Sequence, residues 1–237
     1  MDSSKRFWLP GQELSFTNIQ PTSGVRQVSS RGGAWGDYDN DGYQDLWTGS
    51  TVYRNVEGSG TFVLVTNLEG TTGSQAGTAW ADFNNDGWLD LFYGSHHLYE
   101  NQGGTGAFLL HSAGFGLASR FASQAVSWGD YDQDGWVDVY VVGDRSAEGA
   151  LYRNLRGEGF ENVTREVGVA DPRERYGGAF ADADGDGDLD LFIANCDDLV
   201  EGMRMDVYFE NRRGVFVERG AEVGLNSMED SERAIGP

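Results

Sequence analysis

A single cysteine, Cys196, has no partner for an intrachain disulfide, and without a CxxC pair or a Cys/His cluster the sequence offers neither a zinc site nor a dithiol redox centre. It reads as a small buried hydrophobe. Cations are scarce too: 17 Lys and Arg face 38 Asp and Glu, for a formal charge of -21. Phosphate backbones and anionic membranes require a cationic face, which argues against nucleic acid as a partner and disfavours membrane association. No run of 18 apolar residues is present for insertion into a bilayer, and Met1 to Pro10 lacks the charged-then-apolar layout of a signal peptide. Histidine is limited to His96, His97 and His111. The adjacent pair has no recurrent partner and no Gly-x-Ser-x-Gly, P-loop or His-Glu-x-x-His occurs, so no catalytic residue is assigned. Sustained i, i+3, i+4, i+7 apolar spacing is also missing while 35 glycines punctuate the chain, which predicts minimal helix.

What the chain does have is 39 % apolar and 13 % aromatic residues, enough to bury a core, and a four-fold internal repeat. Gly33-Ala34-Trp35-Gly36-Asp37-Tyr38-Asp39-Asn40-Asp41-Gly42-Tyr43-Gln44-Asp45-Leu46 recurs at Ala79 to Leu91, Ser127 to Val139 and Ala179 to Leu191. The markers Asp37, Asp82, Asp130 and Asp182 stand 45, 48 and 52 residues apart, the length of a four-stranded propeller blade. Each copy reads as a strand, an acidic loop, an apolar strand, a Tyr strand (Val52-Tyr53-Arg54-Asn55 in the first) and a strand opening at Phe62, Phe108, Phe160 or Phe216. The expected fold is therefore all-β, a β-propeller or propeller fragment with blades near 30–66, 76–110, 123–164 and 177–217. Partial elements flank them. Residues 14–19 followed by Gly24-Val25 repeat the Phe strand and its Gly-Val tail, and residues 232–237 repeat the approach to an acidic loop. Either these ends pair to close a ring, or the chain is part of a longer propeller; the missing inner strands of a fifth blade favour the second. Open blade edges would invite self-association.

The loop has the form Asp-x-(Asp/Asn)-x-Asp-Gly-x-x-Asp. Side chains at positions 1, 3 and 5 converge along a tight turn, the glycine at position 6 permits the turn, position 7 offers its carbonyl and position 9 closes a cage of oxygens. The ligand sets are Asp37, Asp39, Asp41, Asp45 and the Tyr43 carbonyl; Asp82, Asn84, Asp86, Asp90 and the Trp88 carbonyl; Asp130, Asp132, Asp134, Asp138 and the Trp136 carbonyl; and Asp182, Asp184, Asp186, Asp190 and the Asp188 carbonyl. Fifteen of the 38 acids occupy these side-chain positions, where a cation relieves their repulsion. Hard oxygen donors in this number suit Ca²⁺, about four ions in all, better than Mg²⁺ with its strict octahedron. Position 12, a bidentate Glu in an EF-hand, is here Thr48, Tyr93, Val141 or Ile193, so the loop belongs to a β-hairpin instead of a helix pair. Asn84 leaves the second site with three carboxylates and the weakest expected affinity.

These loops, with the Tyr-Arg-Asn and Gly-Phe-x-x-Val-Thr elements, resemble the FG-GAP/VCBS repeat family, which includes the integrin alpha-subunit propeller. The resemblance covers roughly Leu14 to Gly224. It implies a propeller, often of seven blades, with calcium in the blade hairpins and a role in adhesion or ligand binding outside the cell. The family's Gly-Ala-Pro element stands here as Gly-Ala-Trp at Gly33 and Gly-Ala-Phe at Gly178, and no inserted adhesion domain exists, so integrin-type ligand binding is not transferred.

The expected function is thus a noncatalytic calcium-binding module presented to a protein or glycan partner. The alternatives are the propeller part of a secreted enzyme, such as a polysaccharide lyase or oxidoreductase, and a structural spacer. Trp35, Trp80, Trp128 and Phe180 precede the loops and are expected in blade cores. Tyr43, Trp88 and Trp136, at position 7, are the expected partly exposed contact residues. Arg26, Arg31, Arg120, Arg173 and Arg175 fall between a Phe strand and the next loop and are expected in surface ion pairs.

Overall fold

The computed structural model describes residues 22–26, 32–71, 77–94, 96–111, 113–117, 123–143, 148–171, 175–195 and 206–225. Strand β1 (Gly33–Gly36) enters the first acidic loop and returns as β2 (Asp45–Thr48), followed by β3 (Thr51–Asn55) and β4 (Phe62–Asn67). The order repeats as β5 (Thr78–Ala81), β6 (Asp90–Tyr93), β7 (His97–Asn101) and β8 (Phe108–His111), and again as β9 (Ala125–Gly129), β10 (Asp138–Val142), β11 (Ala150–Asn154) and β12 (Phe160–Asn162). The last set is β13 (Arg175–Ala181), β14 (Asp190–Asn195), β15 (Val207–Asn211) and β16 (Phe216–Glu218). Each set is one four-stranded antiparallel sheet with its strands in chain order. Among the described residues the only helical element is a 3₁₀ turn, Ala113–Phe115. The fold is all-β, as the glycine load and the lack of helical periodicity require.

The register is the same in all four sheets: Trp35 pairs with Leu46, Trp80 with Leu91, Trp128 with Val139 and Phe180 with Leu191. Second strands are apolar at successive positions, a pattern that fits a strand covered on both faces. One face, Leu91 and Tyr93 or Val139 and Val141, packs on the preceding sheet; the other, Phe92 or Tyr140 and Val142, packs on the following one. The core is accordingly divided into three clusters, one between each pair of consecutive sheets. At the ends of the row the covering is one-sided. Trp47 in β2 is buried against the second sheet, whereas Phe192, its equivalent in β14, is 37 % exposed.

The inner aromatics show the same end effect. Trp80 lies over Gly36, where a Cβ would sit 2.8 Å from its ring, and donates its indole N–H to the Ala34 carbonyl at 3.2 Å. Phe180 lies over Gly129 in the same way, and Trp128 meets Phe92 edge-on at 5.8 Å. Trp35 does not follow the expectation of core burial: it is 59 % exposed and touches Phe62 alone among aromatic rings of the described residues. These aromatics lean on the sheet before their own, and β1 has no such neighbour among the described residues.

Gly24 marks a further regularity. Gly24, Gly116 and Gly168 have positive φ, and a Cβ on any of them would meet the carbonyl oxygen of Phe62, Phe160 or Phe216 respectively. The Phe62 and Phe216 amides donate to Ser23 and Val167 at 2.6 and 2.8 Å. Each Gly-Val/Leu tail therefore straps the start of the fourth strand in the next sheet, and Gly24-Val25 does this for the first. The expected terminal strand elements at 14–19 and 232–237, with Arg31, Arg120, Arg173 and Cys196, lie outside the described residues.

Candidate metal centres

Each loop is folded by its own carboxylates. Asp37 accepts from the amides of Asp41 and Gly42 at 3.0 and 2.9 Å, and Asp41 accepts from the Tyr43 amide at 2.9 Å. Asp82 and Asp86 do the same for Asp86, Gly87 and Trp88 at 3.0, 2.8 and 2.9 Å, and Asp130 and Asp134 for Asp134, Gly135 and Trp136 at 3.0, 2.9 and 3.0 Å. In the fourth loop Asp182 holds Gly185 and Gly187 at 2.8 and 3.2 Å, and Asp186 holds the Asp188 amide at 2.8 Å. The glycine at position 6 has φ between 88° and 96° in every copy, a conformation in which a Cβ would be strained.

This folding brings three of the expected side chains together in three of the loops, leaving Asp45, Asp134 and Asp190 outside the groups. Carboxylate oxygens of Asp37, Asp39 and Asp41 lie within 4.8 Å of one another, as do those of Asp182, Asp184 and Asp186, and those of Asp130, Asp132 and Asp138. The second loop forms no such trio of acids, because position 3 is Asn84, whose amide instead donates to Asp86 at 3.1 Å. Tyr43, Trp88 and Trp136 roof the glycine of their own third-to-fourth-strand hairpin, at Gly58, Gly104 and Gly157. Trp88 and Trp136 are partly buried, and Tyr43 is exposed. The Asp188 side chain is engaged elsewhere, accepting from Gln133 Nε2 at 2.8 Å and from the Arg213 amide at 2.9 Å.

Position 9 has a second job that the sequence pattern conceals. Asp45, Asp90, Asp138 and Asp190 are all buried, and each accepts two backbone amides. One comes from loop position 2 (Tyr38, Phe83, Tyr131 or Ala183) at 3.0 to 3.2 Å, the other from the last residue of the third strand (Asn55, Asn101, Asn154 or Asn211) at 2.7 to 2.8 Å. The carboxylate thus fastens the loop to the Tyr strand. Burial pushes the Asp45 carboxyl up to about 6 and those of Asp90 and Asp138 up to about 8, against the opposing pull of the amides they accept and with the help of neighbouring loop carboxylates. Asp39 and Asp132 are raised as well, by burial first and then by the adjacent acid at position 5.

The residues fit a hard cation. Asp132 Oδ1 is buried and has no hydrogen-bond partner among the described residues, and Asp130 and Asp138 stand beside it. A buried carboxylate oxygen among like charges is costly unless a proton or a metal ion satisfies it. The donors are all oxygens, with no thiolate or imidazole among them, which matches Ca²⁺ and disfavours softer ions.

Two sets of polar residues at the loops went unread in the sequence. The asparagine closing each third strand links sheets: Asn101, Asn154 and Asn211 donate to the position-2 carbonyls of the preceding loop, Tyr38, Phe83 and Tyr131, at 2.7, 2.8 and 2.8 Å. Its recurrence two residues after an aromatic, Tyr53, Tyr99, Tyr152 or Phe209, was the available signal. The residue at loop position 4 links loops, through Asn40, Asn85 and Gln133. Of the histidines, His111 pairs with Glu100 at 2.6 Å on the second sheet and meets Phe83 of the second loop edge-on at 6.1 Å, and the His96 and His97 rings lie 4.1 Å apart.

No helix of the described residues is long and apolar enough to cross a membrane. No curated protein is significantly similar to the chain. The family model for the FG-GAP-like repeat matches residues 37–93 and 130–193, together just over half of the sequence and each match running from one acidic loop through the next. With four equivalent loops on four equivalent sheets, the chain belongs to the FG-GAP-like repeat family.

Proposed function

We propose that the chain is a calcium-binding, β-propeller-type module that works outside the cell, its four sheets serving as blades and its loops as cation cages. The observation that carries this reading is the convergence of loop carboxylates in three of the four loops, most buried in the third, where Asp132 Oδ1 has no hydrogen-bond partner among the described residues. Asp37, Asp39, Asp41 and Asp45 and their counterparts would hold the ions, with the position-7 carbonyls completing the shell. A bound divalent cation supplies charge neutralisation; the chain supplies order, since the same carboxylates already hold the amides of positions 5, 6 and 7.

In this reading metal is structural, and its binding is coupled to folding: each site adds stability as RT ln(1 + [Ca]/Kd). Sites of this charge suit the ~10⁻⁴ to 10⁻³ M affinities of extracellular modules. A rigid, acidic loop edge would then face a protein or glycan partner, with Tyr43 the most accessible of the position-7 aromatics. Calorimetric titration of EDTA-stripped protein with Ca²⁺, paired with thermal melts, tests the core of the proposal. About four sites with a large rise in Tm support it; heat-silent titration with unchanged Tm would return the loops to ordinary turns.

A further inference from the structure

We infer that Asn40, Asn85 and Gln133 are positioning residues through which each loop prepares the metal site of the next, so that the four sites are coupled in a row. The inference rests on the calcium reading above and extends it to how the sites communicate. The Asn40 amide donates to the Gly87 carbonyl at 2.9 Å, Asn85 to Gly135 at 3.0 Å and Gln133 to Gly187 at 2.8 Å. In every case the residue is position 4 of one loop and its acceptor is position 6 of the following loop.

The acceptor is a telling one. The peptide group that carries the Gly135 carbonyl also carries the Trp136 N–H, which donates to Asp134 Oδ1 at 3.0 Å. Clamping the carbonyl fixes the plane of that peptide and with it the Asp134 carboxylate, a ligand at position 5. Loops two and four have the same pair of bonds, Trp88 to Asp86 at 2.9 Å and Asp188 to Asp186 at 2.8 Å. One peptide therefore connects the neighbour's amide to the local ligand.

Backbone conformation argues that the amides are there for this purpose. Asn40, Asn85 and Gln133 sit at φ 56°, 55° and 59°, the left-handed region where glycine is the inexpensive choice and glutamine an unusual one. The fourth loop takes that inexpensive choice, Gly185 at φ 79°. The three loops with a following loop among the described residues accept the strain and carry an amide; the one without does neither. Preorganisation by a neighbour lowers the ordering cost that the next cation must meet, so filling one site favours the next.

The test uses the full chain, uniformly ¹⁵N-labelled and titrated with Ca²⁺ alone. The amides of Gly42, Gly87, Gly135 and Gly187, each held by the position-1 carboxylate of its own loop, report the four sites separately. Asn85→Gly keeps the left-handed backbone and removes only the amide. It should weaken the third site, read at Gly135, by about two- to fivefold, the worth of one partly solvated hydrogen bond, and leave the Gly42 midpoint in place. Asn85→Gln should restore the third site, and Gln133→Gly should shift the defect to Gly187. An unmoved Gly135 midpoint in Asn85→Gly would overturn the coupling while the calcium reading stands. If no glycine moves even in the wild-type titration, both fall.

Discussion

Asn154 donates its side-chain amide to the carbonyl of Phe83, 71 residues earlier and on the preceding sheet, at 2.8 Å. The same amide reaches the Val137 carbonyl at 2.9 Å while its oxygen accepts from the Gly157 N–H at 2.8 Å, so every strong hydrogen-bonding atom of this buried side chain is used. Replacing it strands three backbone groups in a place with little water. Asn154→Ala should cost about 2–4 kcal/mol in urea denaturation at fixed calcium. Among the described residues Asn55, its counterpart in the first sheet, donates only to Gln44 in its own loop, at 3.1 Å, and its oxygen has no partner. Asn55→Ala should therefore cost less than about 1 kcal/mol. Equal losses at the two positions would mean that the inter-sheet bond contributes nothing of its own.

Much of this architecture was legible in the sequence because the repeat is written in residue types with strong local rules. Gly42 and its equivalents fix the turn, the flanking acids fix the loop, and the doubly apolar runs at Leu91-Phe92-Tyr93 and Val139-Tyr140-Val141 fix second strands covered on both faces. Harder to read were relations between repeats. Trp35 stands at the same position of the repeat as Trp80, yet one is exposed and the other leans on Gly36, because burial here is decided by the neighbouring sheet. Asn85 and Gln133 look like interchangeable loop residues until the next loop is placed beside them. The dual role of Asp90 escaped for a related reason: of its two amide partners, Phe83 lies in the loop and Asn101 ends the third strand.

The Trp35 and Trp80 contrast gives a direct stability test. Trp80 fills the space over Gly36 and packs against Phe108 at 6.2 Å, so Trp80→Ala removes a large part of the contact between the first two sheets. A loss of about 3–5 kcal/mol is expected, as for other large-to-small aromatic changes in cores. Trp35→Ala removes a ring that is mostly in water and should cost no more than about 1 kcal/mol. Denaturant midpoints of the two variants under identical calcium decide the matter. A Trp35→Ala loss as large as that of Trp80→Ala would place a further partner over β1.

Asn84 allows the ligand chemistry to be probed by gain instead of loss. The second loop has the same backbone bonds as the first, with Asp82 and Asp86 holding the same amides, and differs in carrying one carboxylate fewer. Asn84→Asp adds a charged oxygen at position 3 and removes the amide bond to Asp86. Affinity at this site should rise roughly threefold to tenfold, on the order of 1 kcal/mol, with the calcium-free protein slightly destabilised by the added repulsion. Calorimetry of wild type against the variant checks the first part and melts in EDTA check the second. An unchanged or weaker second site would remove position 3 from the coordination shell.

His97 supplies a pH dependence separate from the acidic loops. Its ring is half-buried beside Gly70, stacks with Tyr99 at 6.3 Å and lies 4.1 Å from the His96 ring. Burial first, and the neighbouring His96 second, lower the affinity of the imidazole for a proton below the ordinary value of 6.5. The folded state thus binds this proton less readily than the unfolded chain does. Its contribution to stability is complete above about pH 6.5 and is lost as the pH falls toward the lowered folded value. At saturating calcium, the wild-type Tm should fall between pH 7.5 and 5 by on the order of 2 °C more than that of His97→Phe, which keeps an aromatic ring but has no proton to gain. Parallel Tm profiles for the two proteins would show that the folded and unfolded chains bind this proton equally well, and that acid sensitivity arises elsewhere.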